Sequence, residues 1–199
     1  DQSGRLLSMC GNQVPWQDEI EKLTDDIKRQ FGVTGIYVDQ VSGLYHELCF
    51  DKTHPLPICG GSYWASVNRD LLAKVKNVCL KDGGNMVVTS EGATEVFFDQ
   101  LDANLFWSQP SEREIPLMQM VYSGYTLFFG SVCDYTKSEN YFRYAQGQAF
   151  IDGRQNGWMD LGLFKPEYRE KADFLGQCGK FRLKTLKYLV YGQLLDPVI

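Results

Sequence analysis

"GIYVDQVSG", residues 35–43, decides how the rest of the chain is read. Ile36, Tyr37 and Val38 are residue types that fill a buried strand, and they run directly into an acid, Asp39, and a glycine-closed loop. A carboxylate at the end of a strand either caps the turn or works in an active site. The flanking segments bear on which role applies.

Upstream, residues 16–31 ("WQDEIEKLTDDIKRQF") place Ile20, Leu23, Ile27 and Phe31 on one helical face, with acids near the start and Lys28 and Arg29 near the end, where they suit the helix dipole. Gly32 stops this helix. Residues 40–62 are polar and interrupted by glycine and proline, and they form a longer connection than the usual 4–6 residues or so. Residues 63–80 return to a helical pattern with Val67, Leu71, Val75 and Val78 facing inward. After a break at 81–84, "NMVVT" reads as the next strand and ends in Ser90-Glu91-Gly92. The pattern further predicts a strand over 6–9, a helix over 94–107, a strand over 115–124, mostly helix over 139–153 and 166–192, and a short strand near Trp158.

This alternation implies a parallel sheet flanked by helices. An open doubly wound sheet and a closed (β/α)-barrel both satisfy it. Three strands lead into loops through polar or acidic ends, "YVDQ", "VTSEG" and "MVYSG", and in both architectures the site lies at the carboxyl ends of the strands. No GxGxxG or GxxxxGK[ST] follows a strand, which removes the usual nucleotide-binding uses of the open sheet. The expected fold is therefore α/β, a (β/α)8 TIM-type barrel. A whole barrel takes about 250 residues, so 199 residues predict one partial barrel domain over 1–199 with its early strands missing. The chain opens on Asp1 rather than methionine, which suggests that a preceding segment, with any export signal, lies outside it.

A hydrophobic content of 44% supports one sizeable core. The formal charge of −5, with no basic run interleaved with aromatics, argues against a nucleic-acid partner. No apolar run reaches the roughly 18 residues that a membrane span needs. Six cysteines are widely spread and contain no CxxC pair, so they read as small buried residues or free thiols, with a Cys49–Cys59 bridge left open.

Asp39 and Glu91 end strands separated by one helix, and consecutive strands of a right-handed parallel sheet lie side by side. Two carboxylates across one bond are what glycoside hydrolysis uses; the competing reading is a turn cap and a helix N-terminal acid. Tyr37, Tyr45, Tyr63, Trp64, Tyr122, Tyr125 and Trp158 lie at strand ends and in loops, where aromatic rings either stack on sugars or fill a core. The long loop carries a rival pattern, H-x2-C-x4-H-x4-C, formed by His46, Cys49, His54 and Cys59. All four are zinc-ligand types, but the spacing matches no recognised zinc module, and His54 reads better as a hydrogen-bonded group beside the sugar site. A thiol nucleophile would pair Cys49 or Cys59 with His54, with no third residue to orient it. Ser90 is not in a G-x-S-x-G elbow.

Taken together, "GIYVDQVSG", "CFDKTHPLPICGGSYW" (49–64), "TSEGATEVFFDQLDANL" (89–105), "QAFIDGRQNGWM" (148–159) and "YGQLLDP" (191–197) resemble, in order, a bacterial glycoside-hydrolase-like (β/α)-barrel family otherwise described as a domain of unknown function. That family is distantly similar to the endo-α-N-acetylgalactosaminidases, which place an aspartate nucleophile and a glutamate acid/base on successive strands. The resemblance implies the C-terminal part of a carbohydrate-active barrel, with Asp39 as nucleophile and Glu91 as acid/base. Cys49, Asp51, His54, Gly60, Gly61 and Trp64 match its loop block over the sugar. "HPLPICGG" departs from the family's His-Gly-His-Pro type run, which puts the exact sugar contacts in doubt.

The resulting expectation is a retaining O-glycosidase-like domain that takes an oligo- or polysaccharide and needs no cofactor or metal. Tyr37, Gln40, Cys49, Asp51, His54, Gly61, Trp64, Tyr122, Arg154 and Trp158 would contact the substrate. An extracellular or periplasmic location is implied by the resemblance. The alternatives are a non-catalytic carbohydrate-binding or degenerate barrel and, further off, a zinc-dependent hydrolase.

Overall fold

The computed structural model describes residues 9–43, 48–54, 58, 61–106 and 115–195. The expected strand over 6–9 and the residues Tyr45, His46, Cys59 and Gly60 therefore lie, wholly or mostly, outside the described residues. The contacts divide the chain into two compact units, Asp1–Asp102 and Ala103–Ile199.

In the first unit, helix α1 (Val14–Phe31) begins with a proline in its first turn and ends at Gly32, whose φ of 59° lets its N–H reach Lys28 O at 3.1 Å. The packed stripe is not the expected one. Gln17 and Thr24 are buried and Ile20 joins the core, whereas Leu23 and Phe31 face solvent at 49% and 71% exposure. The stripe 17–20–24–28 is the one that faces helix α2 (Tyr63–Leu80). Lys28 Nζ completes it by donating to Val78 O (2.8 Å) and Lys81 O (2.9 Å) at the C-terminal end of α2. A cation placed on the carbonyls at the negative end of a helix draws this face inward in spite of the apolar residues one step round.

α2 follows its pattern, with Val67, Leu71, Val75 and Val78 buried as expected, together with Leu72 and Cys79. Strand β1 (Gly35–Val38) pairs in parallel with β2 (Val87–Glu91), in register Tyr37↔Thr89 and Val38↔Ser90. Ile36, Val38 and the fully buried Val88 pack with Leu72, Val75, Cys79, Met86, Phe97 and Leu101. Full burial of each such aliphatic side chain contributes about 1.5–3 kcal/mol.

The helix expected over 94–107 does not form. Glu95–Phe97 is a single 3-10 turn, and Ala103–Leu105 is strand β3. Phe97 and Leu101 mimic a helical spacing, but Asp102 ends the segment: its backbone N–H donates to Val88 O (2.8 Å) and its carboxylate accepts from Val88 N–H (2.8 Å) and Lys76 Nζ (2.9 Å). Those bonds satisfy groups on β2 that a continuing helix would leave unpaired.

In the second unit, β3 pairs in parallel with β4 (Leu127–Ser131), and β4 with the short β5 (Gln155–Asn156) across a register shift. The strand expected over 115–124 is instead helix α3 (Leu117–Tyr122), with the strand displaced to β4. Only Gln119 of α3 is buried, so the apolar run is a short surface turn and Phe128, Gly130 and Ser131 fill the interior. Helices α4 (Glu139–Ile151) and α5 (Arg169–Lys184) fall within the segments read as helical, followed by α6 (Leu186–Leu189). Phe142 and Leu175, from α4 and α5, meet Cys133 and Leu163 in a second core. Both units are thus α/β, with every strand pair parallel.

Candidate active site

The parallel register that joins Val38 to Ser90 sets Asp39 and Glu91 one step further on, at adjoining carboxyl ends. Alternation along the strands points Ile36, Val38, Val88 and Ser90 toward the helices and puts Tyr37, Thr89 and Glu91 on the opposite face, while Asp39 stands in the turn that follows β1. The Tyr37 phenol lies within electrostatic reach of the Asp39 and Glu91 carboxylates. Burial, then the charge and hydrogen bond of Asp39, then the charge of Glu91, together push the Tyr37 phenol well above the ordinary tyrosine range. Both carboxylates thus act electrostatically on the same phenol.

That raised phenol has a measurable consequence. A group that holds its proton more tightly when folded contributes stability that is fully present below about pH 10 and is lost as the pH climbs through the folded value. Wild-type protein is expected to lose denaturant stability above about pH 10 more steeply than Tyr37→Phe. Superimposable pH curves for the two proteins would show that the coupling is absent.

The loops behind the two acids are fastened together. Ser42 is buried; its backbone N–H donates to Ser90 Oγ (3.2 Å), its Oγ donates to Glu91 O (2.7 Å), and its carbonyl accepts from Thr94 Oγ1 (2.8 Å). Asn68 Nδ2 of α2 donates to Val41 O (3.2 Å). Gly92 sits at φ 90°, and a Cβ there would fall 2.7 Å from Ser42 O. Gly92→Ala is expected to cost about 1–3 kcal/mol through backbone strain and this clash, read as a lowered denaturant midpoint.

Beside the strand ends opens a cavity of about 560 Å³. The predicted nucleophile Asp39 and, of the predicted contact residues, Gln40, Cys49, Asp51, His54 and Trp64 line it, with Cys10, Gln13, Trp16, Tyr63 and Asn68 added by the fold. Glu91, among the described residues, is not part of this lining. Trp64 divides its ring between the cavity and the core, meeting Phe97 edge-on at 5.6 Å. Gly61 is exposed at φ 110°. Tyr122, Arg154 and Trp158 belong to the second unit. Tyr122 ends α3, Trp158 is 53% exposed with a φ of 61°, and Arg154 is fully buried and paired with Asp152 at 3.0 Å.

The loop histidine is more elaborately surrounded than its local sequence indicates. His54 Nδ1 faces Cys49 Sγ at 3.0 Å and Cys10 Sγ at 3.5 Å, and its Nε2 lies 3.4 Å from Asp51 Oδ2 and in contact with the Gln13 carboxamide. Cys49 is a free thiol, so the Cys49–Cys59 bridge does not form. Burial first, and then the neighbouring Cys49, hold the Cys10 thiol above its usual value. The other half of the H-x2-C-x4-H-x4-C pattern, His46 and Cys59, lies outside the described residues. Cys10 was not anticipated from sequence, because it stands 39 residues before Cys49 and only the packing of α1 against α2 brings it near.

The family model described as a domain of unknown function (DUF6259) matches residues 2–135. A Bacteroides thetaiotaomicron protein named "Putative glycoside hydrolase" is 23% identical over 195 residues, which cover 96% of this chain and 29% of that protein. A Monosiga brevicollis protein named "Putative glycoside hydrolase 22789" is 22% identical over 213 residues, covering 92% of this chain and 18% of its own length. The chain thus spans less than a third of the length of these curated relatives. No solved structure matches it.

Proposed function

The chain belongs to the family described as a domain of unknown function, DUF6259, and on that premise we propose that it is a glycoside hydrolase-like domain cleaving O-glycosidic bonds with retention of configuration. The observation that carries the reading is the β1–β2 register, which brings Asp39 and Glu91 to neighbouring strand ends, where both charges act on Tyr37. The names of the two relatives support the same class.

In this mechanism Asp39 attacks the anomeric carbon through an oxocarbenium-like state while Glu91 protonates the departing oxygen. Glu91 then takes a proton from the water that breaks the glycosyl-enzyme bond. Trp64, Gln40 and the other cavity residues would contact an oligo- or polysaccharide. The parallel strands, with helices on one face and Tyr37 and Val87 exposed at 41% and 47% on the other, fit part of a (β/α)8 barrel whose remaining strands would cover that second face.

The test is a panel of aryl glycosides assayed with the full-length parent protein, with the first-formed anomer identified by NMR. Retention is the expected outcome and matches carboxyl groups about 5–5.5 Å apart; inversion would require about 6.5–9.5 Å and a water between them. Glycan binding without turnover of any glycoside would replace the enzyme reading with that of a carbohydrate-binding barrel.

A further inference from the structure

We propose that Cys10, Cys49 and His54 form a binding site for one zinc-class divalent cation, which ties the segment before α1 to the long loop after β1. The two thiol sulfurs and a ring nitrogen of His54 all lie within 4.8 Å of one another. Both sulfurs approach the same nitrogen, Nδ1, at 3.0 and 3.5 Å. Two thiolates and an imidazole around a tetrahedral zinc stand about 3.6 Å apart from sulfur to nitrogen, given Zn–S near 2.3 Å and Zn–N near 2.0–2.1 Å. The Cys10 separation already fits, and Cys49 needs to open by roughly half an ångström.

The histidine is oriented for this use. Asp51 Oδ2, 3.4 Å from Nε2, favours the tautomer with its proton on Nε2, which leaves the Nδ1 lone pair directed at the sulfurs, the carboxylate–histidine–metal arrangement common to such sites. The Gln13 carboxamide meets the same edge through its Nε2, and a protonated His54 Nε2 calls for the flipped amide, with its oxygen there instead. The His54 side chain is only 7% exposed, so its position is fixed by packing. Binding releases the two thiol protons to solvent, and the two thiolate charges neutralise the cation, so no net charge is added to the cavity wall.

A single nucleophile would use one sulfur on the histidine and gains nothing from a second sulfur at the same nitrogen. A Cys10–Cys49 disulfide would remove both ligands. Two sulfurs and one nitrogen are the donor set of a zinc site that keeps a position open for water. The proposal is independent of glycosidase activity, and its test does not use turnover.

Reduced, metal-free protein is titrated with Co²⁺ and then with Zn²⁺. The expected result is thiolate-to-cobalt charge transfer in the near ultraviolet that saturates at one equivalent and is abolished by zinc. Zinc should also protect both cysteines from alkylation. Cys10→Ser and Cys49→Ser should each weaken the charge-transfer band, and Asp51→Asn should leave its shape intact while lowering affinity about 10–100-fold. Asp51 is partly exposed, so this variant reports on the site without disturbing the core. A wild-type protein without the band, a band unchanged in the double serine variant, or protein isolated with Cys10 joined to Cys49 that binds no cobalt after reduction would each overturn the proposal.

Discussion

Asp39→Asn in the full-length parent protein is expected to lower turnover of its glycoside by more than about 10⁴-fold while leaving glycan binding in place, because the amide cannot form the glycosyl-enzyme bond. Glu91→Gln should behave differently. It removes proton transfer to the leaving oxygen, worth about 10²–10⁴-fold, so its deficit should shrink for aryl glycosides whose leaving groups need no protonation. The pair of results assigns roles that geometry alone leaves symmetric. Asp39→Ala supplied with azide should regain turnover and yield a glycosyl azide of inverted configuration, since the small anion occupies the vacated position. Equal losses for the two variants on every leaving group, with no azide rescue of either, would remove the nucleophile assignment.

The second large effect concerns stability. Arg154 and Asp152 are paired at 3.0 Å with side-chain exposures of 0% and 2%, and Arg154 also lies over the Phe106 ring at 5.6 Å. Burial drives the Arg154 guanidinium below its usual pKa in spite of its partner, a sign of how costly the charge is there. Asp152→Ala is expected to cost about 3–5 kcal/mol, because it removes one half of a buried ion pair. Asp152→Asn keeps a polar group that can accept from Gln148 Nε2, now 3.0 Å from the carboxylate, and should cost less. Replacing both partners with apolar residues of similar volume should recover most of the loss. The measurement is the urea midpoint of each variant. An Asp152→Ala midpoint equal to wild type would mean that the ion pair is not holding the second unit.

The first unit was largely legible in the sequence. α2 declared itself by four apolar residues at helical spacing, and β1 and β2 by short β-branched runs that end at acids. The α1 face was misread because Lys28 is drawn inward by the carbonyls at the end of α2, an interaction between residues about 50 positions apart. Residues 94–107 misled for a related reason: Phe97 and Leu101 imitate helical spacing, yet Asp102 owes its role to Val88, on a different strand. In the second unit, "IPLMQMVYSG" has strand composition but stays near the surface, and burial, not propensity, decides such a segment. At the site, the strand-end acids could be read from local pattern. Cys10 and Ser42 could not, since each acquires its partners only when distant segments meet.

The bonds around Ser42 also bear on how this loop can be altered. Through Ser42 the connection after β1 has a root, residues 39–43, that is bolted to β2 and to Thr94, and everything beyond Gly43 leaves from that anchored base. A replacement spanning 44–61 can therefore change what the cavity accepts without altering the spacing of Asp39 and Glu91. Loop exchange among relatives, joined after Gly43 and before α2, is the natural route to altering what this cavity binds. The same graft joined two residues earlier would remove Ser42 and release both acids together.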